Sequence, residues 1–426
     1  MPTDNNWYRN RGYIHFDAPV NLKKAIKIVT SPETVSTHAF YPLIHYTIDS
    51  FKVFKNEHGK IEKKEKQRPI AYASHIDSHI YAYYAQLLAE KYEHALKEKG
   101  LDENIIAFRS LGKSNINFAN DAFEEIIRRR SCSAIAIDIT GFFDNLDHQL
   151  LQQQWSNVLG VEKLPTDHFN VFRSVTRYSK VNRDTLYTRL KISKNNPKYD
   201  RMRVCTADVF RNVVRAGKLI QVHQDTKGIP QGSPISALLS NLYMLSFDVA
   251  AKQISEKYEG TYYRYCDDML FIVPTAYKDL IQQEIAQEIV KVKLEINPKK
   301  TEVRDFWPSG AHLKANKPLQ YLGFIFDGTH KLLRSAALAK FSSRMKTGVR
   351  LAKKTRNKAN QQEREAGSKE TPLFKRKLYE RYSHLSKRNF ITYGYRASGI
   401  MNSNAIRKQL KPLWGRLRAE FEDENS

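Results

Sequence analysis

The stretch Tyr262-Tyr263-Arg264-Tyr265-Cys266-Asp267-Asp268-Met269-Leu270-Phe271-Ile272-Val273 decides the fold. Two adjacent acids stand between arms rich in aromatic and β-favouring residues, the pattern of a strand–turn–strand hairpin with the acids at its tip. Adjacent carboxylates repel, so a bare pair needs a neutralising partner. Asp-Asp also serves as ordinary turn chemistry, and the dipeptide gains meaning only with a third acid upstream.

That third acid is in Ala134-Ile-Ala-Ile-Asp138-Ile139-Thr-Gly-Phe142-Phe143-Asp144. The Ile-rich run Ser133–Ile139 reads as a buried strand that stops at a carboxylate, where an unpaired charge is costly. A divalent cation would compensate it; the alternative is a structural Asp capping the next turn. Three carboxylates on adjoining strands can hold two Mg²⁺ ions through oxygen ligands. Such ions, about 4 Å apart, stabilise the attacking and leaving oxygens of phosphoryl transfer. Between the two acidic segments lies Lys227-Gly228-Ile229-Pro230-Gln231-Gly232-Ser233-Pro234-Ile235-Ser236. Pro230 and the glycines make a stiff turn, Gly232 allows a ligand close to the backbone, and Pro234 suits the first turn of a following helix.

The whole chain supports a polyanionic partner. Its 426 residues suffice for two or three lobes, each burying a core. Composition is globular at 41% hydrophobic, which argues against disorder. Lys and Arg number 70 against 45 Asp and Glu, a formal charge of +25, which favours nucleic acid or an anionic membrane. No run approaches the roughly 20 apolar residues that span a bilayer, and the polar first residues do not resemble a signal peptide. Cys132, Cys205 and Cys266 are widely spaced, so neither a zinc site nor a disulfide framework is indicated. A cytoplasmic nucleic-acid-binding protein without membrane attachment is expected.

Along the chain, Asp77–Leu96 has the spacing of an amphipathic helix. Gln149–Thr226 reads as a polar, irregular, basic insertion with helices and exposed loops, and Leu319–Phe326 as a strand broken by Gly323. From Lys331 onward the pattern is helical, with about 24 Lys and Arg against about 8 acids, dense enough for an arm that tracks a phosphate backbone.

The order Asp…PQG…YxDD resembles the reverse transcriptases. Asp138 matches motif A, Gly228–Ser236 motif B and Tyr265–Asp268 the YxDD box of motif C. Leu294-Glu-Ile-Asn-Pro-Lys-Lys300-Thr301 is similar to motif D, and Leu319-Gln-Tyr-Leu322-Gly323-Phe to the primer-grip motif E. Arg68-Pro-Ile and Ser74-His-Ile-Asp77 resemble fingers motifs of prokaryotic members. The resemblance spans roughly residues 65–328. It implies an α+β right-hand polymerase fold: N-terminal region and fingers over 1–132, and a ferredoxin-like antiparallel palm over 133–328. A fingers-type insertion at about 150–226 and a basic helical thumb over 329–426 complete that expectation.

The same resemblance implies roles. Asp138 and Asp267 are the principal metal ligands, joined by the Ile139 main chain, with Asp268 coordinating less directly. Phe143 is the steric gate against a 2′-OH, and Gln231 and Gly232 abut the incoming nucleotide beside Tyr265. Lys300 is the general acid for pyrophosphate, with a plain solvated Lys as the alternative. Arg68 grips the triphosphate or pairs with a local acid, and Leu322 and Gly323 form the primer grip. Expected cofactors are two Mg²⁺; expected partners are dNTPs, an RNA template and the RNA–DNA duplex. The fingers segment and long insertion most resemble bacterial defence-associated (antiphage) reverse transcriptases, which often copy a structured noncoding RNA. Two rivals are a protein-primed, template-independent DNA polymerase of abortive-infection type and a catalytically silent RNA-binding or maturase-like protein.

Overall fold

The computed structural model describes residues 5–55 and 60–423. β1 (Leu43–Lys55) and β2 (Ile61–Tyr72) form a long antiparallel hairpin, and β3 (Cys132–Asp138) opens a separate sheet. β4 (Ser179–Asn182) and β5 (Ile220–Val222) return to the first sheet, which runs β2-β1-β4-β5. β6 (Thr261–Tyr265), β7 (Asp268–Val273), β8 (Glu302–Ser309) and β9 (His312–Ala315) join β3 in an antiparallel sheet of order β6-β7-β3-β8-β9. β10 (Leu319–Tyr321), β11 (Phe324–Phe326) and β12 (Lys331–Leu333) make a third, small sheet.

The Ile-rich run becomes the central strand because it can be buried on both faces. Ile135 and Ile137 of β3, with Met269, Phe271 and Val273 of β7, enter one core with helices His75–Glu98, Ser236–Tyr243 and Lys278–Lys291. Cys132 and Ala134, with Leu270 and Ile272, enter a second core beneath helix Asn115–Arg129. That second core continues into helices Ser335–Glu365, Phe390–Ile400 and Asn404–Glu422. A small third core joins Ile44 and Val181 of the first sheet to Leu186, Val204 and Phe210.

Helix His75–Glu98 begins two residues before the expected amphipathic segment Asp77–Leu96. Ser74 caps it, and the Asp17 carboxylate accepts the His75 and Ile76 amides at 2.9 Å, satisfying otherwise orphaned donors. The insertion carries helices His148–Leu159, Thr166–Thr176 and Arg183–Arg189, with Leu151, Trp155, Val171 and Val175 buried. Three segments are organised differently from their sequence reading. Leu319–Phe326 is two strands of a hairpin, because Leu322 and Gly323 both take positive φ. Lys331–Leu333 is a strand and the helix after it starts at Ser335, while Pro234 lies in the turn before helix Ser236–Tyr243. Among the described residues no helix is long and apolar enough to cross a membrane.

Candidate active site

Asp138 closes β3, and its cross-strand partner is Asp268, the first residue of β7. Side chains alternate across a strand, so this pair shares a sheet face with Ala134, Ala136, Leu270 and Ile272. Those deeper residues pack under the second core; the carboxylates stand at its open end. Tyr265 of β6 also pairs with Asp268, leaving Cys266 and Asp267 as a two-residue loop. Cys266 has φ +60°, the positive φ that favoured two-residue hairpin loops need at their first position. Tyr265 is half-buried, its ring 6.5 Å from those of Phe108 and Phe118.

The acids feel one another. Protein atoms crowd Asp268 although solvent reaches it. That desolvation, then repulsion from Asp267 and Asp138, pushes its pKa up to about 6. The positive fields of Lys300 and Lys66 act the other way.

Lys300 Nζ lies 2.5 Å from Asp138 Oδ1. The turn that carries it is stitched to the end of β3. Asn297 N donates to the Asp138 carbonyl at 2.8 Å, Thr140 N to Glu295 at 2.9 Å, and Lys300 N to Asn297 at 3.1 Å. The first two bonds flank a bridge between Ile139 and Ile296, so the Ile139 carbonyl points away from Ile296, toward the other side of its strand.

The Gly228–Ser236 loop is fastened to the segment after Asp138. Gly228 N donates to Leu146 O at 2.8 Å and Ile229 N to Phe143 O at 2.9 Å. Gly228 has φ +93°, and a Cβ there would stand 2.9 Å from Asp144 O. Phe143 is half-buried with its ring edge-on to Phe142. On the far side of the loop, Ala71 N donates to Gln231 O at 2.8 Å. Gly232, at φ +108°, would place a Cβ only 2.5 Å from Ala71 O. Only glycine admits that approach, and it brings β2 against the loop. Arg68 on β2 is exposed and pairs with no acid among the described residues.

Leu322 (φ +46°) and Gly323 (φ +93°) form a tight loop between β10 and β11. Asn115 Nδ2 donates to Leu322 O at 3.0 Å and to Tyr393 Oη at 2.9 Å, joining this hairpin to the helical C-terminal part. The hairpin borders the acids: burial, then Asp268, raises the Tyr321 hydroxyl's pKa.

Two features escaped the sequence. Lys66, two residues before Arg68 and so on the same strand face, adds a second cation to the field around Asp268. Arg264, flanked by tyrosines, forms a fully buried ion pair with Asp248. A charged residue at an inward position of a core strand was the available signal for it.

The donor set fits a hard divalent cation. It consists of carboxylate oxygens, with Asp268 raised by desolvation and then by repulsion from Asp267 and Asp138, and an ammonium already sits against Asp138. Among the described residues no three His, Cys, Asp or Glu side chains surround a common point at ligand distance. Mg²⁺ ordinarily binds through one or two carboxylates plus substrate phosphates rather than in an all-protein cage.

An antiparallel sheet with acids at one end, a second sheet against the Gly228–Ser236 loop and a helical part beyond the Leu322–Gly323 hairpin together make the α+β right-hand polymerase fold. The chain belongs to the reverse transcriptase (RNA-dependent DNA polymerase) family, whose pattern matches residues 60–326. Domains of this family generally use divalent metals.

Among solved structures, apo telomerase from Candida tropicalis lacking its C-terminal domain is 10% identical, with a TM-score of 0.37, over 67% of this chain and 55% of that one. Telomerase from Candida albicans with a fragment of telomeric RNA is 11% identical, with a TM-score of 0.40, over 93% and 66%. Apo telomerase from Candida tropicalis gives 10% and 0.38 over 74% and 55%. The chain thus spans between about half and two thirds of these telomerases' length. Comparison with curated proteins returns no match.

Proposed function

We propose that this protein is an RNA-directed DNA polymerase that adds dNTPs to a primer 3′-OH on an RNA template. The observation that carries this is the pairing of Asp138 with Asp268 across the β3–β7 ladder, with Asp267 in the adjoining turn and Lys300 on Asp138. Asp138, Asp267 and the Ile139 carbonyl would hold two Mg²⁺ ions, with Asp268 coordinating less directly. The ions would supply positive charge to the attacking 3′-oxygen and the departing pyrophosphate.

The chain's own groups do the rest. Phe143 walls off the 2′ position, and Gln231 and Gly232 frame the nucleotide beside Tyr265. Arg68 and Lys66 offer donors to the triphosphate, for which the Arg fork is well shaped. Lys300 gives its proton to the pyrophosphate oxygen as the bond to the α-phosphorus breaks. The Leu322–Gly323 loop braces the primer end, and the basic helices after Ser335 hold the RNA–DNA duplex by its phosphates. Most of the rate enhancement comes from such positioning and electrostatics.

The setting we infer is cytoplasmic bacterial antiphage defence, with a dedicated structured noncoding RNA as template; the fingers motifs at Arg68 and Ser74–Asp77 and the long insertion support it. Primer extension on an RNA template with dNTPs and Mg²⁺ tests the activity, and sequencing of the RNA and DNA that co-purify tests the template. DNA made without template and covalently attached to a tyrosine would favour the protein-primed alternative.

A further inference from the structure

We propose that Arg264 is a positioning residue that sets the Cys266–Asp267 turn from beneath and ties it to the helix after the Gly228–Ser236 loop. The proposal rests on the polymerase reading above and concerns what holds its acidic turn in place.

Arg264 and Asp248 are both fully buried. They meet as a two-pronged pair, Nε to Oδ1 at 2.7 Å and Nη2 to Oδ2 at 2.6 Å, and Tyr262 Oη donates to Asp248 Oδ1 at 2.8 Å. The remaining nitrogen, Nη1, faces the site. It donates to the carbonyl of Cys266 and to Oδ1 of Asn241, both at 3.1 Å. Asn241 lies in helix Ser236–Tyr243 and passes the connection on, its Nδ2 donating to Ala107 O at 2.9 Å. The Arg264 backbone is held as well, its N donating to Asn104 O at 2.8 Å and its O accepting from Ile106 N at 3.0 Å.

Burying two charges is expensive, and well-packed apolar side chains of similar volume commonly replace such a pair without loss of stability. Stability alone therefore gives little reason for an arginine here. What a guanidinium supplies and an apolar residue cannot is the Nη1 donor. The Cys266 carbonyl belongs to the peptide plane that runs through the Asp267 nitrogen to its Cα, so fixing it fixes where the Asp267 side chain departs. Cys266 also has a positive φ unusual for a residue with a Cβ, and such backbone persists only where its surroundings enforce it. The same Nη1 reaches both the acidic turn and the nucleotide-side helix, so one side chain sets their separation.

The test compares wild type, Arg264→Lys, and a triple variant (Arg264→Met, Asp248→Leu, Tyr262→Phe) that removes the buried polar groups together. Readouts are the thermal midpoint, kcat and KM for dNTP on a primed RNA template, and Mn²⁺ affinity without nucleotide by electron paramagnetic resonance. The triple variant should stay folded while kcat falls roughly 10- to 100-fold and Mn²⁺ binding weakens about 10-fold, the scale seen when groups behind metal ligands are lost. KM should change less than about threefold, since catalytic geometry is lost rather than nucleotide affinity. Arg264→Lys keeps the charge opposite Asp248 but not the planar fork, so it should share the loss of kcat, and it decides the matter should the triple variant fail to fold. A folded variant with wild-type kcat and Mn²⁺ affinity would make the pair purely structural and overturn the proposal. An inactive wild type would instead defeat the polymerase reading, leaving Mn²⁺ affinity to judge Arg264.

Discussion

Asp138 and Asp268 face each other as the last register pair of the β3–β7 ladder, one closing its strand and the other opening its own. The relationship follows from the sheet: register places the two acids together, and the two-residue loop between β6 and β7 adds Asp267 beside them. Antiparallel pairing thus converts a separation of well over a hundred residues into a single acidic edge, and the turn after Ile296 delivers Lys300 to it.

Lys300 sits against Asp138, and its proposed role is proton transfer to the departing pyrophosphate. Lys300→Ala should lower kcat by about 10²-fold, the low end for a lost general acid, with a smaller change in KM. Single-turnover incorporation checks both, and an unaltered rate would leave Lys300 as a charge partner of Asp138 only.

Phe143 is half-buried and its backbone carbonyl is bound by Ile229 N, so its position is set by the Gly228–Ser236 loop. Phe143→Ala should therefore admit rNTPs without disturbing the backbone. The dNTP over rNTP preference in kcat/KM should drop by at least about 10²-fold, measured with matched nucleotide pairs on one template; removal of a steric exclusion worth about 3 kcal/mol has that effect. Unchanged sugar discrimination would remove the gate.

Helix Ser335–Glu365 exposes Arg350, Lys354 and Lys358 at four-residue spacing on one face, and none pairs with an acid among the described residues. Replacing all three with Ala should weaken RNA–DNA duplex binding. It should also lower the slope of log affinity against log salt by up to about 2.7, near 0.9 per phosphate contact on B-DNA. A titration between 50 and 200 mM salt (roughly the range where such contacts tell) measures it; an unaltered slope would place the duplex elsewhere.

Acid should destabilise the N-terminal region for a specific reason. His15 is fully buried, and burial, then nearby His75, holds its pKa near 3. Its ordinary value is about 6.5, so below that pH the unfolded chain binds a proton that the folded chain refuses until about 3. Stability is therefore lost as pH falls through this window, by roughly 2 kcal/mol at pH 5 for one such group. His15→Phe should flatten the fall in urea midpoint between pH 7 and 5, and an unchanged pH dependence would locate the acid sensitivity in other groups.

Much of the palm was legible because each element announces itself locally. Ser133–Ile139 reads as a buried strand from its isoleucines, and Thr261–Val273 as a hairpin from its alternating arms around Asp-Asp. The insertion was harder, because its buried positions (Leu151, Trp155, Val171) are diluted by polar residues that cover the outer helix faces. Leu322 concealed a turn, since a leucine at positive φ carries no turn signal; its neighbour Gly323 alone suggested a broken strand. Within the site, residue types marked the acids, but the tertiary structure alone reveals that the field of Lys66 reaches Asp268 and that Arg264 lies beneath Cys266.

The most direct measurement is extension of a labelled DNA primer on an RNA template with dNTPs and Mg²⁺, comparing wild type with Asp267→Ala/Asp268→Ala. Wild type should extend the primer. The double variant, folded by circular dichroism, should fall by about 10³-fold or more, as expected when several kcal/mol of metal-derived charge stabilisation are lost. Synthesis at the wild-type rate by that variant would contradict the assignment of the acidic edge as the catalytic centre.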